Sequence, residues 1–248
     1  MRFVIIGGDA AGMSAASRAR RNNPDLEIVV LEMGQDVSYS ACNIPYNIAD
    51  PDRVIEDLVV RSASTFIDKF GIDLRTGHRV ERIDRTARAV HGRTAEGTPF
   101  SVEYDRLLIA TGAKPIRPDI PGCDLEGVFV VKNLVDGRKI KTFLHERQAR
   151  RAVIIGMGYI ALEMAEALSK RGLKVDLIKP RAGLLPWLDR ELAEPVREHL
   201  LANGADLYDG HAIEQIVAVD DHLEVVAGQL RLNADLVIVA IGVEPLSS

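Results

Sequence analysis

Hydrophobic and polar positions follow the same order twice along the chain: an apolar run, an amphipathic stretch and a second apolar run. The apolar runs at 2–6, 27–31, 152–155 and 174–178 predict buried strands, and the amphipathic stretches at 10–22 and 159–171 predict helices. Short apolar strands that alternate with helices are typical of a parallel sheet covered on both faces. The pattern therefore predicts two βαβ units, one at the N-terminus and one in the second half of the chain.

The remaining segments predict further elements around these two units. Helices are predicted at 62–70, 133–148 and 189–203, strands at 107–112 and 236–240, a loop with a short helix at 35–51, and a Pro- and Gly-rich linker at 116–127. Short strands with glycine turns recur between 72 and 100 and again before 236. Each βαβ unit also has a glycine-rich turn, 7–12 or 156–161, between its first strand and its helix. We therefore expect an α/β fold with two Rossmann-like nucleotide-binding domains, each with a parallel sheet, helices and a small antiparallel β-meander.

Composition and charge exclude several classes of protein. Of the 248 residues, 47% are hydrophobic, which is enough for buried cores. The formal net charge is −5 with both signs interspersed, so neither nucleic acid nor a membrane surface is expected as a partner. No apolar stretch of the sequence reaches the ~20 residues of a membrane span, and Met1 leads straight into a strand without a signal peptide. We expect a cytoplasmic protein whose two cysteines, Cys42 and Cys123, form neither a disulfide framework nor a metal site.

Two glycine-rich turns carry the strongest chemical signal. The first reads Gly7-Gly8-Asp9-Ala10-Ala11-Gly12, and the second reads Gly156-Met157-Gly158-Tyr159-Ile160-Ala161. Each follows an apolar strand and opens a helix, where a tight turn and the helix N-terminus can hold a pyrophosphate. An ordinary tight turn between a strand and a helix is the alternative for either one alone. Asp9 is unfavourable beside a pyrophosphate unless its side chain points away.

The residues that follow the next strand distinguish the two turns. Glu32 follows the strand after the first turn and can accept hydrogen bonds from a ribose diol. Lys179 and Arg181 follow the strand after the second turn, where a cation attracts a 2′-phosphate and favours NADPH over NADH. The alternative is that both cationic side chains are solvated on a loop.

Cys42 lies between the two turns, just before the predicted short helix. A thiolate is stabilised near a helix N-terminus, which makes such a cysteine nucleophilic and oxidisable. The alternative is a small buried hydrophobic residue, a common fate of a lone cysteine. Cys123 lies in the predicted linker, and we expect it to be incidental to the chemistry.

Segments spread over the chain resemble the motifs of one protein family. They are the first glycine turn extended to Ala16, Ser38–Cys42 with Pro45-Tyr46, Ala110-Thr111-Gly112-Ala113, the second glycine turn extended to Glu163, and Ala240–Pro245. In this order they resemble the flavin-dependent pyridine nucleotide–disulfide oxidoreductases. The similarity is to the single-cysteine branch, which contains the coenzyme A-disulfide reductases and the NADH oxidases and peroxidases.

The resemblance implies a mechanism that uses FAD and either NADPH or NADH. NAD(P)H reduces FAD by hydride transfer, and the reduced flavin then reduces a disulfide or a sulfenic acid at Cys42. In the reductase version Cys42 forms a mixed disulfide with coenzyme A. In the oxidase version Cys42 cycles through sulfenic acid while oxygen is reduced at the flavin. An NAD(P)H oxidase or peroxidase is therefore the alternative to a disulfide reductase.

The resemblance also implies which residues bind the cofactors. The FAD contacts fall on Gly7, Gly8, Ala11, Gly12, Glu32, Thr111 and Gly112, and the NAD(P)H contacts fall on Gly156, Gly158, Tyr159, Ile160, Lys179 and Arg181, with Gly242 where the chain crosses back to the FAD domain. Tyr159 gates the nicotinamide pocket and Glu163 faces the flavin side. These two residues therefore join Cys42 as the expected catalytic residues.

The substrate residues that the resemblance implies lie near the first turn and the cysteine. Ser38 and Asn43 flank Cys42, and Arg18 and Arg21 are the candidates to meet coenzyme A phosphates. The alternative for the two arginines is a solvated helix face. Ala41 stands where some reductases place an asparagine, a departure that concerns the identity of the substrate.

The implied domains are an FAD-binding domain at 1–115, a linker and helix at 116–150, an NAD(P)H-binding domain at 151–240 and the return to the FAD domain at 241–248. In the family, the rest of the FAD domain and a dimerisation domain follow this point, whereas six residues, 243–248, follow Gly242 here. We expect either a fragment of a longer, homodimeric enzyme or a short form that binds nucleotides weakly and catalyses little.

Overall fold

The computed structural model describes residues 1–185 and 187–246 as helices, strands and connecting loops. The helices are α1 (Ala10–Asn22), α2 (Ile44–Ala49), α3 (Leu134–Arg147), α4 (Tyr159–Lys170) and α5 (Arg190–Ala202). The strands are β1 (Arg2–Ile6), β2 (Glu27–Leu31), β3 (Asp73–Arg75), β4 (His78–Asp84), β5 (Ala89–Thr94), β6 (Pro99–Glu103), β7 (Arg106–Ile109), β8 (Ala113–Pro115), β9 (Val128–Val130), β10 (Arg151–Ile155), β11 (Lys174–Lys179), β12 (Asp206–Asp209), β13 (Gln215–Val219), β14 (His222–Ala227), β15 (Leu230–Ala234), β16 (Leu236–Val239) and β17 (Val243–Pro245). Single helical turns lie at Ala41–Asn43, Ile55–Leu58 and Thr65–Lys69.

Contacts divide the chain into two compact units, each built from stretches that are not contiguous in sequence. The first unit comprises Met1–Ser40, Glu56–Ala113 and the chain from Pro245 onward, and the second comprises Ala41–Ile55 and Lys114–Glu244. The stretch Ala41–Ile55 lies inside the sequence-based domain 1–115, but its contacts are those of the second unit. The residues around Cys42 therefore pack with the second glycine turn's unit.

The centre of the first unit is a parallel sheet with the strand order β3-β2-β1-β7. Successive residues of a strand point to opposite faces of its sheet. On one face Ile5 packs with Met13 of α1. On the other face Val4 packs with Val90 of the antiparallel meander β4-β5-β6. The apolar residues of β1 after Arg2 thus fit a strand that is covered on both faces.

The second unit repeats this plan around a parallel sheet with the order β12-β11-β10-β16-β9. Helix α4 packs against β10 and β11, and α3 packs against β9. The antiparallel meander β13-β14-β15 covers the sheet through Val225, which belongs to one buried cluster with Val153 and Val237. The predicted fold class, two Rossmann-like α/β units with a meander each, is confirmed.

The predicted and observed secondary structures differ in one helix and in several three-residue strands, among them β9. The helix predicted at 62–70 is a single wide turn, Thr65–Lys69. The hydroxyls of Ser62 and Thr65 lie 2.9 Å apart, and such local side-chain hydrogen bonds compete with regular helix. Strand β9 was not predicted, because three residues carry no recognisable period. It nevertheless pairs in parallel with β16 and forms the edge of the second sheet.

Among residues 1–185 and 187–246, no helix is long and apolar enough to cross a membrane. Over the same residues, no group of three or more His, Cys, Asp or Glu side chains could hold a metal ion. Cys42 and Cys123 are both free thiols.

Candidate functional site

The two glycine turns have the same hydrogen-bond geometry. The N–H of Gly7 donates to the Leu31 carbonyl at 2.9 Å, and that of Gly156 donates to the Ile178 carbonyl at 2.8 Å. Both glycines have a positive φ, +110° and +124°. A Cβ built on either would lie 2.2 Å from a backbone carbonyl oxygen, so only glycine fits. Each turn therefore brings bare backbone to the start of a helix, as dinucleotide binding requires.

Two carboxylates, one in the first turn and one directly after β2, accept hydrogen bonds from backbone N–H groups. Glu32 accepts from Gly8 at 2.6 Å on one oxygen and from Gly34 at 2.7 Å on the other. Because a carboxylate offers about four lone-pair sites, both oxygens keep the capacity to bind a ribose diol. Asp9 accepts from the Tyr39 N–H at 3.2 Å instead of capping α1. The Asp9 carboxylate is thus engaged by the backbone N–H of Tyr39 and makes no capping hydrogen bond to α1.

The other predicted FAD residues lie at the start of α1 and after β7. Gly12 is buried, and a Cβ on it would lie 1.9 Å from the carbonyl oxygen of the turn's first glycine. Ala11 is exposed in the first turn of α1. Thr111 donates its hydroxyl to the Leu246 carbonyl, and the carbonyl of Gly112 accepts from the Leu246 N–H at 3.0 Å. Strand β7 pairs with β1, so these residues follow the strand beside the turn.

A cavity of about 570 Å³ lies at the second turn. The structure brings the predicted NAD(P)H residues together in its wall: Gly156, Gly158, Tyr159, Ile160, Lys179, Arg181 and also Gly242. A Cβ on Gly158 would meet only Trp187, whose ring lies 3.7 Å from that position, so the backbone there is open to the cavity. The volume is in the range of ligand sites in proteins.

The two predicted phosphate-binding cations differ in accessibility. Lys179 is only 8% exposed, and its Nζ donates to the Gly183 carbonyl at 2.6 Å. Burial lowers the pKa of Lys179, and the Asp209 carboxylate opposes this effect. Arg181 is exposed in the wall of the same cavity. Arg181 is therefore the cation that a ligand reaches directly, whereas Lys179 would have to leave Gly183.

Trp187 lines this cavity and was missed by the sequence analysis. Its indole N–H donates to the Tyr159 hydroxyl at 3.1 Å, and the two ring centroids are 5.3 Å apart. Both side chains are exposed over more than half of their surface. The one available signal was that Trp187 is the single tryptophan of the chain and follows a predicted cofactor strand. Glu163 lies half-buried on α4, one turn after Tyr159.

The two cysteines have opposite surroundings. Cys42 is exposed, which contradicts the alternative of a small buried hydrophobic residue. It lies in the turn Ala41–Asn43, directly before α2, and Asn43 is the N-cap residue of that helix. Cys123 is buried in the core of the second unit, where burial raises the pKa of its thiol. Only Cys42 is therefore accessible to a reagent or substrate.

The predicted substrate residues belong to two different units. Arg18 and Arg21 are exposed on α1 of the first unit. Ser38 belongs to the same unit and has a left-handed φ of +48°, with its carbonyl accepting from the Val60 N–H at 2.8 Å. Asn43 is exposed in the second unit. A common role of these four residues stays a prediction.

Comparisons with known proteins give consistent matches over the whole chain. A family model described as pyridine nucleotide-disulphide oxidoreductase matches residues 1–248. The NADH oxidase of Methanocaldococcus jannaschii is 35% identical over 99% of this chain and 55% of that protein. The coenzyme A disulfide reductase of Staphylococcus haemolyticus is 30% identical over 99% of this chain and 55% of that protein. The solved structure of an NAD-dependent persulfide reductase from A. fulgidus has a TM-score of 0.94 and 37% identity, and covers 100% of this chain and 46% of that one. The chain thus spans about half the length of the curated relatives it matches.

Proposed function

The chain belongs to the pyridine nucleotide-disulphide oxidoreductase family, and from this premise we propose that it carries the nucleotide sites of an oxidoreductase that uses FAD and NAD(P)H. The observation that carries the proposal is the pair of equivalent glycine turns, each opening a helix. The proposed reaction passes electrons from NAD(P)H to a disulfide, such as coenzyme A disulfide, through Cys42. The names of the staphylococcal and A. fulgidus relatives, both of which refer to sulfur substrates, support this choice.

NAD(P)H is proposed to bind in the cavity at the second turn. The tight turn at Gly156 and the open backbone at Gly158 would hold the pyrophosphate at the start of α4. Arg181 would attract a 2′-phosphate, and Lys179 would add to this attraction once it leaves the Gly183 carbonyl. The two cations favour NADPH over NADH, because an acid at this position would repel the extra phosphate.

FAD is proposed to bind at the first turn, whose residues fit a dinucleotide. Gly7 and Gly12 leave no room for side chains, and Glu32 keeps acceptor capacity for a ribose diol. Asp9 accepts a hydrogen bond from the Tyr39 N–H, which reduces the repulsion between its carboxylate and a pyrophosphate. When bound, FAD supplies a redox centre that accepts a hydride from NAD(P)H and passes two electrons to sulfur.

Cys42 is the proposed site of the sulfur chemistry because its thiol is exposed. Its thiolate attacks one sulfur of the disulfide, which forms a mixed disulfide and releases the other half as a thiolate. Two electrons that come from NAD(P)H, with one proton, then release the second half as a thiol and return Cys42 to the thiolate. Tyr159 is proposed to gate the nicotinamide pocket, and Glu163 is proposed to face the flavin side.

An NAD(P)H oxidase or peroxidase is the second candidate function. It is favoured by the M. jannaschii relative, which is named an NADH oxidase. An exposed Cys42 is also open to a small oxidant such as peroxide, which would convert it to sulfenic acid. A nucleotide-binding module with little catalysis is the third candidate, since the chain spans about half the length of these relatives.

The location and assembly of the enzyme are also proposals. We propose a cytoplasmic location, which the two free thiols support because reducing compartments keep thiols reduced. We propose a homodimer for the full-length enzyme by analogy with the family. Gel filtration of the full-length enzyme would test this proposal.

The experiment that tests the function starts from the flavin spectrum. Purified protein is incubated with FAD and desalted, and NADPH is added without air. We expect bound flavin whose absorbance bleaches, and turnover of coenzyme A disulfide that Cys42→Ser abolishes without affecting bleaching. Cys123→Ser is the matched cysteine control and keeps turnover. Full disulfide turnover by Cys42→Ser would exclude the sulfur mechanism, and a protein that stays colourless after incubation would favour the nucleotide-binding module.

A further inference from the structure

Residues 41–55, called here the cysteine segment, are closed into a compact loop by their own hydrogen bonds. Asn47 is fully buried, and its side-chain Nδ2 donates to the Val54 carbonyl at 2.8 Å. This bond ties the end of α2 to the far end of the cysteine segment. Because a helix of six residues is too short to be stable by itself, α2 depends on its packing against α3 and α4.

Lys141 of α3 binds the cysteine segment from outside. Its Nζ lies 2.5 to 3.1 Å from four oxygens: the carbonyl and the Oδ1 of Asn47, and the carbonyls of Asp50 and Arg53. An ammonium group has three hydrogens, so the oxygens saturate it. Hydrogen bonds from a charged donor are stronger than neutral ones. The ammonium is thus enclosed by converging oxygens in the manner of a bound cation.

A second cationic side chain donates a hydrogen bond to the same end of α2. Arg171 follows α4 and donates its Nη1 to the Ile48 carbonyl at 3.2 Å. Carbonyl groups at a helix C-terminus carry partial negative charge, so both cations are placed favourably. Helix α4 begins in the second glycine turn, at Tyr159, and therefore joins the candidate nucleotide site to the anchor of the cysteine segment.

We propose that Lys141 is a positioning residue for Cys42, because its ammonium fixes residues 47–53 and, through α2, the turn Ala41–Asn43 that carries the thiol. The inference rests on the proposed function only in taking Cys42 as the reacting thiol; the anchoring does not depend on it. Without the ammonium, four oxygens converge with no donor between them, which is unfavourable. The loop then opens, and the turn that orients Cys42 loses its support.

The test uses the two cysteines as internal reporters, because Cys42 is exposed and Cys123 is buried. Lys141→Met removes the charge at nearly constant length, and Lys139→Met is the matched control, since Lys139 is exposed on the same helix. Mass spectrometry gives the rate of alkylation at each cysteine at a fixed pH, and the hydrogen exchange of residues 44–53. Neither measurement requires FAD or NADPH, so a failure of the proposed function leaves the result interpretable.

We expect Lys141→Met to move the alkylation rate of Cys42 toward that of the urea-unfolded chain. Exchange of residues 44–53 rises on the order of tenfold or more, as expected when charged hydrogen bonds are lost. Cys123 stays protected, and Lys139→Met behaves as the wild type. In Lys141→Ala, propylammonium replaces the missing group and restores the wild-type alkylation rate of Cys42 and the wild-type exchange of residues 44–53, whereas tetramethylammonium, which has no N–H, does not.

Wild-type alkylation of Cys42 and wild-type exchange in a folded Lys141→Met protein would overturn the proposal. If Cys123 loses its protection in Lys141→Met, that protein has unfolded. The exchange of residues 44–53 is then measured in Lys141→Arg instead. The planar guanidinium keeps the charge but cannot point its donors at four converging oxygens. Faster exchange of residues 44–53 with Cys123 protected then supports the proposal, and wild-type exchange overturns it.

Discussion

A Cβ atom on Gly156 would lie 2.2 Å from the carbonyl oxygen of Ala240, closer than any side chain can approach a backbone oxygen. Gly156→Ala therefore has to displace the end of β16 or of β10 as well as adopt an unfavourable φ. Gly172 also has a positive φ, +84°, but nothing lies within 4 Å of a Cβ built there. Alanine at Gly172 introduces only backbone strain, whereas alanine at Gly156 introduces backbone strain and a steric clash. A comparison of the two variants therefore separates the two effects.

We expect Gly172→Ala to lower the free energy of unfolding by about 1–2 kcal/mol, the cost of a left-handed residue with a Cβ. Gly156→Ala should cost more and should also abolish NADPH binding, since the turn moves. Urea unfolding and a fluorescence titration with NADPH measure both quantities. Equal losses of stability in the two variants, with NADPH binding retained, would contradict the close approach.

Trp187 offers a direct signal of ligand binding, because it is the single tryptophan of the chain and lies in the wall of the cavity. NADPH should produce a saturable change in its fluorescence. Trp187→Ala should weaken NADPH binding roughly 2- to 10-fold, as expected for the loss of one aromatic contact. Tyr159→Phe keeps the ring and removes the acceptor of the indole N–H, so it is the control for the hydrogen bond. Unchanged fluorescence at saturating NADPH would place the ligand elsewhere.

Arg181 should determine the choice of coenzyme more strongly than Lys179, because Lys179 is buried against Gly183. Arg181→Glu should shift the ratio of kcat/KM for NADPH over NADH toward NADH on the order of tenfold, since a charged hydrogen bond to phosphate becomes a repulsion. Lys179→Glu should produce a shift together with a loss of stability. Arg150→Glu, an exposed change of the same charge, is the control. An unaltered ratio in Arg181→Glu would remove the basis for an NADPH preference.

Asp176 should make stability depend on pH. It is 2% exposed, its Oδ1 has no hydrogen-bond partner among the described residues, and Arg151 lies 3.7 Å from its Oδ2. Burial raises the pKa of Asp176 above its usual 3.8. The folded chain therefore binds this proton more tightly than the unfolded chain, and the free energy of unfolding falls as pH rises from about 3.8 through the raised pKa.

Asp176→Asn should remove this decline and leave the protein at least as stable as the wild type at neutral pH. Urea unfolding between acidic and neutral pH measures the difference. Asp221→Asn is the control, because the Asp221 side chain is 99% exposed. The same pH dependence in wild type and Asp176→Asn would show that this carboxyl does not titrate with folding.

The sequence was sufficient to predict the elements whose structure is determined by a local pattern. The bounds of β1, α1 and β2 agree with the predicted ones, because short apolar runs and an Asn-Pro stop signal act over a few residues. The residues of the second turn gather around one cavity as the motif implied. Here the periodicity, the glycine positions and the strand order all favour the same answer.

The rest depends on contacts between residues far apart in the sequence. Lys141 and Asn47 are separated by 94 positions, so no local signal could assign the cysteine segment to the second unit. The burial of Lys179 follows from its bond to Gly183, whereas its charge alone indicated an exposed phosphate ligand. The effect of the Asp9 carboxylate on a bound pyrophosphate could be assessed only once its hydrogen bond from the Tyr39 N–H was known.

Because the cysteine segment belongs to the second unit, neither unit is one continuous stretch of the chain. The chain passes from one unit to the other after Ser40, Ile55, Ala113 and Glu244. A fragment from Lys114 to Glu244 would therefore lack the partner of Lys141 and would leave the α2-binding side of α4 bare. A chimera that exchanges nucleotide units between relatives should consequently transplant residues 41–55 as a separate insert, because this loop and its thiol are inherited with the unit that anchors them.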